Sequence, residues 1–237
     1  QRTLADLQVT EWLLSQFSTI DEVKAALSSV RVVGLEKTAV VHWRIGEPSG
    51  RQVVLEIVGG VPHFYENEVG VLTNAPGFEW QLTNLNNYAN LHPGDASMQK
   101  LSGITLQPTG GNSGFLGIPG DATPPSRFVR AAFYRGTAPQ RATGFDTVQQ
   151  CFHLLNNFDI PIGIEYSQAG DIPDIPSATQ WTSAIDLTNR KVYYKTAYNN
   201  SIRCIDLKAI DFSKVKYQSQ PLDKIQEQPV EMVKIPR

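Results

Sequence analysis

The chain has 237 residues, 41% of them apolar, which is enough to bury a sizeable hydrophobic core. Its 21 lysine and arginine residues nearly balance 23 aspartate and glutamate residues, so the formal net charge of −2 provides no electrostatic basis for binding nucleic acid or an anionic membrane. Two cysteines exclude a disulfide framework, and no apolar stretch approaches the roughly 18 residues of a membrane-spanning helix.

The first segment has a helical pattern. Apolar residues recur on one helical stripe between residues 4 and 17, and we predict a helix there. Thr19 and Glu22 stand at the spacing of a capping box, in which each side chain bonds the backbone N–H of the other residue, so a second helix should begin at this point. The chain starts with Gln1 and not with Met, on a pattern already under way, and we expect a further segment upstream.

Short β-rich runs follow from residue 30 onward. The turns between most of them are too short for a parallel crossover, so we interpret the runs as neighbouring antiparallel strands of a meander. The runs are Val30–Val33, Val40–Ile45, Gln52–Val58, Val61–Tyr65 and Val69–Thr73.

The middle of the chain alternates helical patterns with a long loop. Residues 78–90 predict a helix, and a Gly/Pro/Ser-rich excursion runs from about Leu91 to Asp121. A loop of that length in a compact domain is usually functional or takes part in assembly. Ser126 has the properties of an N-cap for the next helix, and residues 144–157 predict another.

The last third of the chain predicts a second antiparallel meander. Its runs cover 180–187, 192–196 and 202–207, and a polar, proline-containing tail over 213–237 should form an extended surface strap. We find no internal repeat and no convincing linker. The sequence therefore predicts a single α+β domain over 1–237, with helices layered on antiparallel sheets.

Metal and cofactor chemistry has little support in the residue pattern. The four histidines lie on different predicted elements without helical i, i+4 spacing, and no cysteine pair has zinc-ribbon spacing. No phosphate-cradling loop with its lysine is present either. We expect neither a metal nor a cofactor.

The candidate nucleophiles in the chain are weak. Ser113 lies in a Gly-rich stretch that misses the serine-hydrolase pattern, because Phe115 stands where the last glycine belongs, and a flexible loop explains it better. Cys151 lies in an apolar helical run and Cys204 in a strand, so we interpret both as small packed hydrophobes.

Asn74 is the first residue with a functional interpretation. It follows a β-rich run and precedes a rigid Ala-Pro segment, so its amide would stand at the rim of a sheet, where it can hold a substrate carbonyl or N–H. The residues alone leave open an Asx-type turn before Pro76.

Arg127 is the second residue with a functional interpretation. It would lie in the first turn of a helix capped by Ser126, where the positive end of the helix dipole disfavours a cation. Such local conflicts are commoner at functional sites, and this arginine can stabilise a thiolate or a substrate carboxylate. A surface ion pair with Asp121 is the structural alternative.

Three long blocks carry a resemblance to a known family. They are Gly70–Tyr88 (GVLTNAPGFEWQLTNLNNY), Leu116–Phe133 (LGIPGDATPPSRFVRAAF) and Leu154–Pro161 (LLNNFDIP), with further support from Thr179–Thr182 (TQWT). On these blocks the chain resembles the choloylglycine hydrolase family, which contains conjugated bile acid hydrolases and penicillin V acylases. The similarity extends from the first helix to about Phe212.

The resemblance implies an N-terminal nucleophile hydrolase with a four-layer αββα fold, incomplete at its N-terminus in this chain. In the family a cysteine at the mature N-terminus attacks a linear amide, and its own α-amine acts as the base. That cysteine and its neighbouring residues have no counterpart after Gln1, so we expect them in the missing N-terminal segment of the same protein. The resemblance assigns Asn74 to the scissile amide and Arg127 to a place beside the nucleophile.

The same resemblance implies roles for the excursion over about 87–119. It corresponds to an assembly segment of a homotetramer, and its end borders the substrate pocket, where Phe115, Leu116 and Ile118 would line the acyl site. Burial in a subunit interface is the alternative for these three residues.

We expect the larger, C-terminal part of a penicillin V acylase-like amidase, acting on a small-molecule acyl amide through an acyl thioester. The substrate is a phenoxyacetyl penicillin, a conjugated bile acid or an N-acyl homoserine lactone. The block around Arg127 is closer to penicillin acylase-like members from Gram-negative bacteria, which implies a periplasmic location, with the cytoplasm as the alternative. A non-catalytic fragment or homologue that binds an acyl ligand or only assembles is the second hypothesis.

Overall fold

The computed structural model describes residues 2–34, 41–164 and 178–236. Its contacts group into two compact units, Gln1–Ala138 and Pro139–Arg237, which are described separately below. The helices and mostly antiparallel sheets of these units agree with the predicted α+β class.

The first unit contains seven strands and four helices among its described residues. They are β1 (Arg2–Ala5), α1 (Val9–Gln16), α2 (Ile20–Leu27), β2 (Val30–Val33), β3 (His42–Gly46), β4 (Gln52–Val58), β5 (Val61–Glu66), α3 (Phe78–Leu85), β6 (Gln99–Leu101), β7 (Ile104–Leu106) and α4 (Pro124–Thr137).

The start of the chain differs from the prediction. Residues Arg2–Ala5 form strand β1 and not the first turn of a helix, and β1 pairs in parallel with β2, with Arg2 opposite Val30. The two helices between β1 and β2 provide the long crossover that a parallel pair requires. The expectation that Val30–Val33 joins an antiparallel meander was therefore wrong, although its strand character is confirmed.

The capping box at Thr19 is confirmed. The backbone N–H of Glu22 donates to Thr19 Oγ1 at 3.3 Å, and Glu22 Oε2 accepts from the backbone N–H of Thr19 at 3.0 Å. Glu22 also accepts from the Ser18 N–H, and these bonds, that of Ser18 first, lower the pKa of its carboxyl group.

Strands β3, β4 and β5 form an antiparallel sheet with β4 in the centre. Leu55 on one face of β4 joins a buried cluster with residues of α1 and α2, whereas Val54 on the other face packs with Phe78 of α3 and Phe128 of α4. A strand covered on both faces needs a nearly continuous apolar run, which explains the sequence of Gln52–Val58.

Val69–Thr73 is not a strand, contrary to the prediction. Its backbone carbonyls are bonded by side chains, because Arg135 Nη1 donates to the Val69 carbonyl at 3.1 Å and Asn67 Nδ2 donates to the Val71 carbonyl at 3.2 Å. The segment is therefore an irregular connection, held by side chains, that leads from the sheet to Asn74.

The long excursion contains the hairpin β6–β7 and a closed loop. Gly114 N–H donates to the Gly94 carbonyl at 2.8 Å, and a Cβ atom at Gly114 would lie 2.3 Å from the His92 carbonyl oxygen, so this close approach requires glycine. Ser113 Oγ accepts from the Ala96 N–H at 2.9 Å. This contact gives Ser113 a structural role.

The second unit contains α5 (Gly144–Leu155) and the strands β8 (Trp181–Asp186), β9 (Lys191–Thr196) and β10 (Asn199–Asp206). The strands form the predicted antiparallel meander in the order β8-β9-β10. Val148 and Phe152 of α5 pack against Tyr193 of β9. The tail contacts this sheet through an ion pair between Asp223 and Arg203.

The two cysteines lie in different environments of this unit. Cys151 is half-buried in α5, as predicted, and burial raises the pKa of its thiol. Cys204 is exposed, so its interpretation as a packed hydrophobe was wrong. It lies on β10, which is an edge strand of the three-stranded sheet and whose residues are mostly exposed.

Candidate active site

Asn74 and Arg127, 53 residues apart in sequence, are in direct contact. Arg127 Nη2 donates a hydrogen bond to Asn74 Oδ1 at 2.7 Å. Both residues belong to the first unit, Asn74 on the connection before α3 and Arg127 in the first turn of α4. The structure thus brings together the two polar residues that sequence reasoning selected independently.

Helix α4 begins earlier than predicted. Its N-cap is Thr123, followed by Pro124 and Pro125 at the first two helical positions, where a missing N–H costs no intrahelical bond. Ser126 is therefore the third helical residue and not the cap. Its hydroxyl donates to Asp121 Oδ2 at 2.6 Å.

Asp121 organises the start of this helix from outside. Its Oδ1 accepts from the Thr123 N–H at 2.8 Å and from the Thr123 hydroxyl at 2.5 Å. These bonds, that of Ser126 first, lower the pKa of the Asp121 carboxyl group. A carboxylate at a helix N-terminus is also favoured by the helix dipole.

The Arg127 side chain is held along the preceding loop. Its Nε donates to the Ala122 carbonyl at 2.9 Å, while Nη2 reaches Asn74. Arg130, one turn further and only 8% exposed, donates to the Pro119 and Asp121 carbonyls at 2.6 and 2.8 Å. Both arginines therefore fix the loop that enters α4, and Arg127 also fixes the amide of Asn74.

The Asn74 loop is held against the start of α4 by a second bond. Thr73 Oγ1 donates to the Pro124 carbonyl at 3.1 Å. The Ala75–Pro76 peptide is cis, and Gln81 Nε2 lies 3.5 Å from the carbonyls of Asn74 and Pro76. An Asx-type turn would use the Asn74 side chain on nearby backbone, but its Oδ1 accepts from Arg127 instead.

This contact determines which amide atom of Asn74 is available for chemistry. A guanidinium only donates, so the atom that faces Arg127 must be Oδ1. The Nδ2 group therefore carries two donor hydrogens, and among residues 2–34 and 41–138 the structure shows no acceptor for them. Asn74 is exposed. An oriented, exposed amide N–H is suited to a substrate carbonyl that develops negative charge.

The three predicted acyl-site residues differ in how far their side chains are exposed and in what they contact. Phe115 is half-buried and packs edge-to-face on Phe133 and Tyr134 of α4, with ring centroids 5.9 and 6.5 Å apart. Phe133 is six residues beyond Arg127, which is roughly 9 Å along the helix axis. Leu116 is 82% exposed, and Ile118 is half-buried in the turn that follows. Phe115 is thus an anchor on α4, and Leu116 is the projecting apolar side chain.

Sequence reasoning missed Glu56, which is only 8% exposed and lies beneath the Asn74 loop. Its Oε1 accepts from the Phe78 N–H at 2.8 Å and lies 3.3 Å from His42 Nδ1. The signal was a single carboxylate inside the otherwise apolar run Val53–Val58.

In the described parts of the chain, no group of three or more His, Cys, Asp or Glu side chains is placed to hold a metal ion. Among the same residues, no helix has the length and apolarity to cross a membrane.

Comparison with known proteins identifies relatives along most of the chain. The family model described as linear amide C–N hydrolases, choloylglycine hydrolase family, matches residues 2–221. A bile salt hydrolase/transferase from Clostridium perfringens is 33% identical over 201 residues, which cover 83% of this chain and 60% of the relative. A penicillin V acylase from Pectobacterium atrosepticum is 28% identical over 233 residues, covering 87% of this chain and 54% of the relative.

The fold is shared with a solved member. A crystal structure of a cysteine-to-alanine mutant of the conjugated bile acid hydrolase from Clostridium perfringens matches with a TM-score of 0.81 and 28% identity, covering 99% of this chain and 71% of that chain. The predicted N-terminal nucleophile hydrolase fold class is thereby confirmed. The chain spans 60% of the length of the curated bile salt hydrolase/transferase relative.

Proposed function

The chain belongs to the choloylglycine hydrolase family of linear amide C–N hydrolases, and from this we propose that it carries the carbonyl-binding part of an amidase active site. The observation that carries the proposal is the Arg127–Asn74 hydrogen bond, which leaves the Asn74 amide oriented as a donor. The reaction is hydrolysis of an N-acyl amide through an acyl thioester.

The nucleophile in this proposal is a cysteine at the mature N-terminus, supplied by a segment upstream of Gln1. Cys151 is disfavoured as nucleophile because burial raises the pKa of its thiol, and the attacking species is the thiolate. A free α-amine has a pKa of about 7.7 to 8.0, so near neutral pH a sizeable fraction is neutral and can accept the thiol proton.

The residues of this chain then act on the carbonyl. The cysteine sulfur forms a bond to the carbonyl carbon, and the carbonyl oxygen becomes an oxyanion that accepts a hydrogen bond from Asn74 Nδ2. Collapse of this intermediate breaks the C–N bond and releases the amine with the proton from the base. Water, which gives a proton to the α-amine, then attacks the thioester carbonyl and forms a second oxyanion at the same donor. Collapse of this second intermediate breaks the C–S bond, releases the carboxylic acid and regenerates the cysteine, which recovers the proton from the α-ammonium group. The positive charge of Arg127 favours the thiolate and keeps the Asn74 amide in its orientation.

The acyl group of the substrate faces Phe115, Leu116 and Ile118 in this proposal. Leu116 projects from a segment that Phe115 anchors on Phe133 of α4, roughly 9 Å along the helix axis from Arg127, and this segment offers an apolar surface on the helix that carries Arg127. Similarity to both a bile salt hydrolase/transferase and a penicillin V acylase supports a bulky or aromatic acyl group. The assay panel therefore includes a glycine-conjugated bile acid, penicillin V and an N-acyl homoserine lactone.

The decisive experiment uses the full-length protein with its upstream segment. Asn74→Asp keeps an oxygen facing Arg127 but removes both donor hydrogens of the amide. We expect this substitution to lower kcat by about 10²- to 10³-fold, which is the usual effect of removing one hydrogen-bond donor to an oxyanion. Asn74→Ala should lower kcat equally with little effect on KM. Retained turnover in Asn74→Asp would refute the donor role.

Arg127 is tested in the same assay. Arg127→Ala should abolish most turnover without unfolding the protein, whereas Arg31→Ala, which alters an exposed arginine on β2, should leave the rate unchanged. If the full-length protein has no N-terminal cysteine and hydrolyses none of the amides, the alternative holds, and the protein binds an acyl ligand or only assembles.

We also propose that the excursion 87–119 assembles the protein into a homotetramer through the hairpin β6–β7. Leu101 and Ile104 face each other across this hairpin and are 57% and 58% exposed, which is unfavourable unless another surface covers them. Leu101→Asp should shift the mass measured by light scattering towards the monomer, and Thr105→Asp on the same hairpin is the control. An unchanged mass in Leu101→Asp would refute this assembly contact.

For location, we propose the periplasm, on the resemblance of the block around Arg127 to penicillin acylase-like members from Gram-negative bacteria. Fractionation of cells that express the full-length protein tests this, and recovery in the cytoplasm would refute it.

A further inference from the structure

Glu56 is a charged residue at an unusual place in the first unit. It lies on the central strand β4 and is only 8% exposed. Strand alternation places it on the same face as Val54, which packs against α3 and α4. Burying a carboxylate costs free energy unless hydrogen bonds compensate for the lost water. The partners of Glu56 therefore show what stabilises it at this position.

Its strongest partner is the first N–H of helix α3. Glu56 Oε1 accepts from the Phe78 N–H at 2.8 Å. The N-cap of α3 is Gly77, which makes no side-chain cap bond of its own. Glu56 therefore caps α3 from the sheet, and the negative charge is favourably placed at the positive end of the helix dipole.

Gly77, the N-cap residue of α3, allows the Glu56 carboxylate to come close to the start of the helix. A Cβ atom on Gly77 would lie 3.0 Å from Glu56 Oε2, which is a tight contact with a buried carboxylate. His42, directly opposite Glu56 on β3, supplies a second contact with its Nδ1 at 3.3 Å from Glu56 Oε1. The carboxylate is thus held on the strand side by His42 and on the helix side by Phe78.

The segment between Asn74 and Phe78 is held at both ends. At its start, Asn74 accepts from Arg127, and the adjacent Thr73 donates to Pro124. At its end, Phe78 donates to Glu56. Only three residues lie between the two fixed points, so a change in the position of the Phe78 N–H must be absorbed within this short loop or transmitted to Asn74.

We propose that Glu56 is a positioning residue for Asn74, acting through the Phe78 N–H at the start of α3. The role rests on the proposed function, because its consequence is the placement of the Asn74 donor against the substrate carbonyl. Glu56 does not touch substrate. Displacements of about 1 Å in a catalytic group reduce rates by up to about 100-fold, so a small shift of the loop has a measurable effect.

Two substitutions separate the bond from the charge. Glu56→Asp keeps the charge but retracts the carboxylate by one methylene from Phe78, and we expect kcat to fall about ten-fold with KM unchanged. Glu56→Gln keeps an acceptor oxygen for the Phe78 N–H, and we expect kcat within about three-fold of the wild type. Glu66→Gln, an exposed residue on the neighbouring strand β5, is the matched control and should leave kcat unchanged.

A double-mutant cycle with Asn74→Ala identifies the route. If Glu56 acts through Asn74, Glu56→Asp has no further effect on kcat once the Asn74 amide is absent. A merely structural role would lower kcat by the same factor in both backgrounds. Equal factors, or an unchanged kcat in Glu56→Asp alone, would overturn the proposal.

Hydrogen exchange of the Phe78 amide, measured on the same full-length proteins, keeps the two proposals apart. We expect Glu56→Asp to speed this exchange at least about ten-fold relative to the wild type. If the wild type hydrolyses no amide while this exchange rises, the amidase proposal fails and the Glu56 contact stands. If the exchange does not change, the contact with Phe78 is refuted whatever the activity.

Discussion

Phe128 offers a test that separates the fold of the first unit from its chemistry. The residue follows Arg127 on α4, is 0% exposed, and belongs to the cluster of Val54, Val71 and Phe78. Its ring meets that of Phe78 edge-on, with centroids 6.0 Å apart and planes at 71°. Phe128→Ala removes this contact and leaves a cavity between β4, α3 and α4.

The expected cost follows from the burial. A buried phenylalanine removes roughly 200 Å² from water, which at about 25 cal/mol per Å² corresponds to about 5 kcal/mol as an upper value. Measured Phe→Ala substitutions in cores cost about 3 to 5 kcal/mol. We therefore expect the free energy of unfolding to fall by this amount, which corresponds to about 6 to 20 °C in Tm for a chain of this size.

The assay is denaturant and thermal unfolding of the full-length protein with two comparison variants. Phe212→Ala makes the same substitution at a 68% exposed position and should cost less than about 0.5 kcal/mol. Arg127→Ala, next to Phe128, should change stability by less than about 1 kcal/mol while it abolishes turnover. A loss below about 1 kcal/mol in Phe128→Ala would refute the assignment of this ring to the core.

Three further predictions concern the first unit. Thr19→Ala removes the cap of α2 and should lower the free energy of unfolding by about 1 kcal/mol in urea titrations. Gly70→Ala places a Cβ 2.5 Å from Arg135 Cζ at a φ of +64°, so it should cost at least about 1 kcal/mol by the same measurement. Hydrogen bonds, chiefly from Arg51, lower the pKa of Glu66 from 4.5 to about 2. Because the folded pKa is depressed, the stabilisation is present above pH 4.5 and is lost as the pH falls towards about 2. The Tm difference between wild type and Glu66→Gln should therefore shrink on acidification, and a constant difference would contradict this assignment.

Sequence reasoning succeeded where the signal is local. The capping box at Thr19 depends on residues three apart, and the buried strand Gln52–Val58 on one nearly continuous apolar run, and both were correctly predicted. It failed where a distant partner decides the structure. Arg2–Ala5 is a strand only because β2, 28 residues later, pairs with it. The apolar pattern of the following helix includes the end of this strand, so the sequence predicted a helix from residue 4 onward.

The same distinction applies to the site. Asn74 was selected from its place after a β-rich run and Arg127 from its local conflict with the helix dipole, both with support from family resemblance, but their mutual hydrogen bond joins residues 53 positions apart and no local pattern contains it. Glu56 was missed because its partner is a backbone N–H 22 residues away, at a helix start whose cap residue is glycine. A charged residue in a buried strand was the only trace of that contact.

The geometry of the site depends on the core as much as on its polar contacts. Each of the two blocks that carry a site residue also carries a buried phenylalanine close behind it: Phe78 four residues after Asn74, and Phe128 directly after Arg127. These two rings pack on each other and on Val54, so α3, which begins four residues after Asn74, and α4, which carries Arg127 in its first turn, share one anchor on β4. Glu56, two residues along the same strand and face, bonds the start of α3. One face of the sheet therefore sets the distance between Asn74 and Arg127. Buried side chains attach both loops to this face, and their close packing leaves little space for adjustment.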